Sequence, residues 1–124
     1  MTDQIVTLER KADFATIHAF AVMSGDFNPI HVDPEFAAKT ELGTIVAHGH
    51  MSTGLLWEAL TATFGPEAVG RITVDGRFRK PVRENDVIRT RGTASADDAN
   101  RYDFEVVNQN DDVIMNGQVL LREA

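Results

Sequence analysis

Apolar residues recur along this chain with two different periods. Over residues 14–22, Phe14, Ile17, Phe20, Ala21 and Val22 fall at helical spacing, and Asp13 stands where an N-cap acceptor belongs. Ser24 and Gly25 end that helix, with Gly25 free to take a left-handed cap. His18 lies among these residues without an acidic partner at helical spacing and reads as a packing or surface histidine. A short helix is expected over 34–39, opened by Pro34 and capped by Asp33. Met51, Leu55, Leu56, Ala59, Leu60 and Phe64 then form a longer pattern that is apolar on most sides. Ser52, Thr53 and Gly54 thin one face of it, and Gly65-Pro66 stops it. A helix apolar nearly all round is a buried one.

Elsewhere the pattern reads as strand. Residues 5–8 make a short candidate, and 44–47 an extended run. After Val69 everything reads as strands: 71–80 with Ile72, Val74 and Phe78 on one side, 86–96, 101–107 with Tyr102, Phe104 and Val106 alternating, and 113–121. Turn residues fill 81–85, 97–100 and 108–112, so an antiparallel meander is expected. One buried helix and a curved antiparallel sheet make an α+β fold. The 124 residues suit one domain over 1–124, without linker, repeat or low-complexity tract.

Composition narrows the chemistry. There is no cysteine, hence no disulfide, thiolate nucleophile or cysteine-ligated metal. The N-terminal residues show no basic segment followed by an apolar run, and no apolar stretch is long enough for a bilayer, so a cytoplasmic protein without membrane contact is expected. A net charge of −7 argues against a nucleic-acid surface. Residues 71–91 depart from that balance with seven basic against three acidic side chains, a local +4 suited to an anionic ligand or simply to a solvated strand face.

The stretch Ser24-Gly25-Asp26-Phe27-Asn28-Pro29-Ile30-His31-Val32-Asp33 carries the candidate chemistry. Asn28-Pro29 breaks regular structure and biases Asn28 away from the helical region. Asp26 and His31 therefore lie on a stiff loop able to aim a carboxylate and an imidazole at one point, as a general acid/base pair requires. Alone, such a motif is also an ordinary turn with a satisfied histidine. A second block, Ile45-Val46-Ala47-His48-Gly49-His50, precedes the long helix.

These two blocks, in this order and spacing, resemble those of the MaoC-like (R)-specific enoyl-CoA hydratase and dehydratase family of hot-dog folds, and the resemblance runs over about residues 14–121. It implies catalytic roles for Asp26 and His31, which would bracket a water beside the double bond of a trans-2-enoyl thioester. It implies that the Gly49 N–H, at the start of the long helix, receives the thioester oxygen. Asn28 would tie the loop down and touch the substrate. His50, where the family often has Met, would add a proton shuttle or a polar contact, or turn its side chain into the helix packing. Trp57 stands where some hydratases carry a serine and reads as core or as a limit on the acyl pocket. The family implies no cofactor, with the substrate carried on CoA or acyl-carrier protein. It also implies a homodimer with a continuous sheet, or pairing with another hot-dog chain.

Three other readings stay open at this level. His31, His48, His50 and Asp26 offer a metal-ligand set, against the expectation of no metal. A hot-dog chain can serve as a non-catalytic acyl-thioester-binding subunit. A thioesterase shares fold and ligand, although its motifs lack the Asn-Pro-Ile-His loop.

Overall fold

In the computed structural model, residues 2–123 are described. Their core is one antiparallel sheet curled against one long helix, the arrangement expected. The strands are β1 (Gln4–Ile5), β2 (Glu9–Lys11), β3 (Ile72–Phe78), β4 (Val87–Ala94), β5 (Arg101–Val107) and β6 (Val113–Leu121). The helices are α1 (Phe14–Ser24), α2 (Pro29–Val32), α3 (Pro34–Ala38) and α4 (Gly49–Phe64). The sheet runs β1-β4-β5-β6-β3, with β2 also on β4, and does not close into a barrel. No helix of the described residues is long and apolar enough to cross a membrane.

Local chemistry sets the helix ends as expected. The Asp13 carboxylate accepts from the Thr16 N–H at 2.8 Å, and Gly25 closes α1 at φ 78°. That hydrogen bond holds the Asp13 carboxyl below its ordinary range. The cap is therefore intact at neutral pH and is lost as pH falls through the lowered value. Ile17 and Ala21 are buried, whereas Val22, expected inward, is 63% exposed. One residue past Ala21 the helix has turned by about 100°, which carries Val22 off the buried stripe.

Two strand expectations are corrected. The run over 5–8 is split, because the buried Thr90 of β4 replaces ladder bonds there. Its hydroxyl donates to Val6 O at 3.0 Å and accepts from the Leu8 N–H at 2.9 Å. The meander covers only β4, β5 and β6. Strand β3 pairs with β6 instead of β4, from Ile72 opposite Leu121 to Phe78 opposite Met115. The turn between β3 and β4 is occupied otherwise. Ala47 N–H donates to Val82 O, Glu84 N–H to Ile45 O and Asn85 N–H to Ala12 O, so 82–86 is stitched to the extended run and to the end of β2.

Helix α4 lies on the sheet with Met51, Ser52, Leu55, Leu56, Ala59 and Leu60 buried. Its burial is one-sided, since Gly54, Glu58 and Ala62 are exposed in the single chain. Trp57 is partly buried and packs on the edge of the core. Opposite α4, a cross-strand row reads Gly76, Gly117, Phe104, Gly92, Ile5. The glycines leave the space that the Phe104 and Ile5 side chains fill: an added Cβ at Gly76 would lie 2.9 Å from Phe104 Cζ, and one at Gly92 2.6 Å from Ile5 Cδ1. At Gly117 it would lie 2.0 Å from the Asp75 carbonyl oxygen, which cannot rotate away. Gly117→Ala is expected to lower stability by about 3 kcal/mol, the upper part of the overpacking range. Denaturant unfolding checks this, and an unchanged midpoint would contradict the close β3–β6 approach.

Candidate active site

The segment after α1 is built from short polar side chains that replace missing helix and sheet bonds. The Ser24 hydroxyl donates to Phe20 O at 2.8 Å and accepts from the Asp26 N–H at 3.2 Å. Asp26 Oδ1 accepts from the Asn28 N–H at 3.1 Å, and Asn28 Oδ1 from the Ile30 N–H at 3.1 Å. Asp33 Oδ1 accepts from the Glu35 and Phe36 N–H groups, as expected of a cap. Pro29 sits at the first position of α2, where its missing N–H costs nothing. His31 is thus on a single helical turn and not on an open loop, a refinement of the sequence reading.

That turn aims the two candidate side chains at each other. His31 Nε2 lies 3.7 Å from Asp26 Oδ2. His31 Nδ1 lies 2.5 Å from the Val46 carbonyl oxygen, which can only accept. Nδ1 therefore carries the hydrogen, and in the neutral ring Nε2 presents a lone pair toward Asp26. The imidazole is largely buried (side chain 13% exposed), whereas the Asp26 side chain is 53% exposed.

His48, which in the sequence reads only as a candidate metal ligand, organises this pair. It is buried, and its Nε2–H donates to the Asp26 main-chain oxygen at 2.9 Å. Its ring stacks on His31, with centroids 3.9 Å apart and planes at 25°. Phe20 of α1 packs on it as well, at 4.8 Å. One ring thus fixes the Asp26 backbone and the His31 plane together. The signal was the position of His48 as the residue entering α4, a place from which a side chain can reach back across the preceding loop.

Beyond His31 lies a cavity of about 410 Å³, walled also by Val46, Gly49, Ser52, Phe78 and Ile114. Gly49 is the first residue of α4, and its N–H donates to no acceptor among the described residues. Phe78 lies over it: an added Cβ would stand 3.4 Å from the ring. Arg79 and Lys80 mark the exposed rim. Asn28 is exposed and outside this wall, its Oδ1 committed to Ile30. His50 is also exposed and outside it, with its ring edge-on to Phe78 at 6.2 Å. One step along α4 from Gly49 turns it away from the cavity. A larger concavity, about 680 Å³, lies on the outer sheet face among Asp75, Arg77, Arg91, Asp103 and Glu105, and contains none of the expected site residues.

Asp26, His31 and His48 bring ligand-capable atoms within 4.8 Å of one another, without His50. They make a poor chelate. Stacking holds the in-plane lone pairs of the two rings in separate planes, with centroids 3.9 Å apart and only 25° from parallel, so one nearby ion cannot lie in both ring planes. An ion held by both would have to splay the stack. The carbonyl partners also fix opposite tautomers. Nitrogen-15 NMR of the neutral rings should show Nδ1–H for His31 and Nε2–H for His48, and the same tautomer for both would break the geometry above.

Comparisons with known proteins bear on the family and the fold. The family described as "MaoC like domain" matches residues 2–116. A 3-hydroxybutyryl-CoA dehydratase of Methylorubrum extorquens is 39% identical over 85 residues, 68% of this chain and 54% of that protein. An (R)-specific enoyl-CoA hydratase of Rhodospirillum rubrum is 34% identical over 86 residues, 68% of this chain and 59% of that protein. The matches thus span little more than half the length of these relatives. Among solved structures, an R-hydratase of Pseudomonas aeruginosa in its unliganded form superposes with a TM-score of 0.77 at 26% identity, covering 100% of this chain and 83% of that one. With the family match running over most of its length, the chain belongs to the MaoC-like domain family and has its hot-dog fold.

Proposed function

We propose that this chain hydrates trans-2-enoyl thioesters to (R)-3-hydroxyacyl thioesters, and dehydrates them in reverse, without a cofactor or bound metal. The observation that carries the reading is the pairing of Asp26 Oδ2 with His31 Nε2 at 3.7 Å, beside a cavity whose wall includes the unpaired first amide of α4. The names of the two curated relatives support the reaction class.

The spacing suits one water. A carboxylate oxygen and an imidazole lone pair are both acceptors, so a water between them donates one hydrogen to each, at about 2.8 Å. Its own lone pair is then free to attack. As the oxygen bonds to Cβ, the π electrons of the double bond move onto the thioester. The oxygen that gains this charge sits at the Gly49 N–H, where the positive end of α4 stabilises it. The proton shed by the water is held by the Asp26–His31 pair. It returns to Cα from the same face, and the enolate collapses to the product. His31 exchanges protons through Nε2 alone, since Nδ1 is bound to Val46.

Arg79 and Lys80 at the rim suit the phosphates of CoA or of acyl-carrier protein. The chain would act in the cytoplasm, as a homodimer or beside another hot-dog chain. The free edge of β3, the exposed face of α4 and the 51% exposure of Phe78 support such pairing.

Purified protein with crotonyl-CoA is expected to consume the enoyl thioester. Asp26→Asn and His31→Gln should each lose about 10²- to 10⁴-fold in kcat while remaining folded, the usual worth of positioned acid–base catalysis. Folded variants that keep the wild-type rate would remove both residues from the mechanism.

A further inference from the structure

The cavity wall carries one polar atom that the reaction above does not use. Ser52 is fully buried and lines the cavity, and its Oγ has no hydrogen-bond partner among the described residues. Helical hydroxyls usually return to the carbonyl four residues back, and others in this chain do. Thr61 Oγ1 donates to Trp57 O at 2.8 Å, Thr63 Oγ1 to Ala59 O at 2.6 Å, and Ser24 Oγ to Phe20 O at 2.8 Å. Ser52 leaves the His48 carbonyl to the Met51 N–H at 3.0 Å. Val46, Val82 and Ile114 add apolar side chains to the same cavity wall. A buried hydroxyl without a partner is unfavourable unless a ligand completes it.

Its position says which part of a ligand that would be. Ser52 follows Gly49 by three residues on the same face of α4, a rise of about 4.5 Å. With the thioester oxygen at the Gly49 N–H, the charged carrier leaves by the exposed rim at Arg79 and Lys80. The acyl chain runs the other way, toward buried Ser52. Its distance from Gly49 corresponds to the fourth or fifth acyl carbon of an extended chain, past the reacting bond.

We propose that Ser52 is a specificity-determining residue, and that the preferred substrates carry a hydroxyl or carbonyl oxygen on the acyl chain beyond the double bond. This rests on the hydratase reading for the orientation of the ligand. A pocket built to bond an oxygen discriminates against the analogue that lacks it, because its own polar group is then left unpaired.

The test uses unreactive saturated thioesters and calorimetry on the full chain. Wild type is expected to bind 5-hydroxypentanoyl-CoA or 4-oxopentanoyl-CoA about tenfold or more tighter than pentanoyl-CoA. Ser52→Ala should reverse the order, weakening the oxygenated ligands and tightening pentanoyl-CoA. Ser52→Cys, of similar size and weaker hydrogen bonding, should lie between and serves should the alanine variant unfold. Equal affinities in wild type would overturn the proposal. So would a tenfold fall in kcat for crotonyl-CoA in Ser52→Ala, since the hydroxyl would then serve the reacting oxygen. The two readings separate cleanly. Turnover of crotonyl-CoA without an oxygen preference sinks only the role of Ser52, and the preference without turnover sinks only the hydratase.

Discussion

The hydrogen bond from the buried His48 ring to the main-chain oxygen of Asp26 joins the two halves of the site. On one side stands a segment from Ser24 to Asp33 with a single helical turn of its own, shaped by side-chain caps. On the other stands the entry to α4, which the core holds through Met51, Leu55 and Leu56. Caps fix the local shape of the segment but not its place on the body of the protein. His48 supplies that place twice, through the carbonyl and through the stack on His31. The Val46 carbonyl adds a third tie, to His31 Nδ1, from the run that leads into the same helix. Asp26, His31 and the first amide of α4 are thus positioned by one stretch, residues 46–49. A catalytic geometry is only as good as the groups that hold its side chains in place.

How much of this was legible in the sequence follows from how local each cause is. Asp13, Gly25 and Asp33 were readable as caps because a cap acts within a few residues. Strands β5 and β6 were readable to the residue, since alternation and flanking turns define them. The Asp26–His31 pairing was legible through the stiffness of Asn28-Pro29 and through the resemblance. The pairing of β3 with β6 was not, because nothing within 81–85 reveals that its bonds go to Ile45, Ala12 and Val82's partner Ala47. Thr90 reads as an ordinary strand threonine until Val6 and Leu8 are seen beside it. The roles of His48 and Ser52 are hidden in the sequence for the same reason. One looked like a ligand and the other like a small residue, and only their partners, or the lack of one, give them roles. Val22 and His50 show the opposite limit, where a single step of 100° separates a buried or pocket-facing position from solvent.

The glycine row explains why a sheet of this size can wrap the helix at all. Phe104 lies between Gly117 and Gly92 on neighbouring strands, with Gly76 one strand further. Its ring fills the space beside Gly76, the Ile5 side chain fills that beside Gly92, and the β3 backbone lies against Gly117. The strands can then approach closely and the sheet can bend, which brings the end of β3 over the start of α4. Phe78, at that end, covers Gly49 as a result. The curl of the sheet and the roof of the cavity are consequences of the same small residues.

Exposure divides the acid–base pair unevenly, and this bears on how the site would work. With His31 neutral there is no ion pair, only two acceptors facing across 3.7 Å. Charge separates when a proton moves from water onto the imidazole. Two opposite unit charges about 4 Å apart attract by roughly 1 kcal/mol in water and about 4 kcal/mol at the lower effective dielectric near a protein surface. The half-exposed Asp26 carboxylate lies toward the first limit, and the buried face of His31 toward the second. Covering Asp26 would therefore strengthen the charge-separated state more than the resting one. On the hydratase proposal, a bound acyl thioester would do this by displacing water. On that proposal the pair would become most effective once the substrate itself completes the wall.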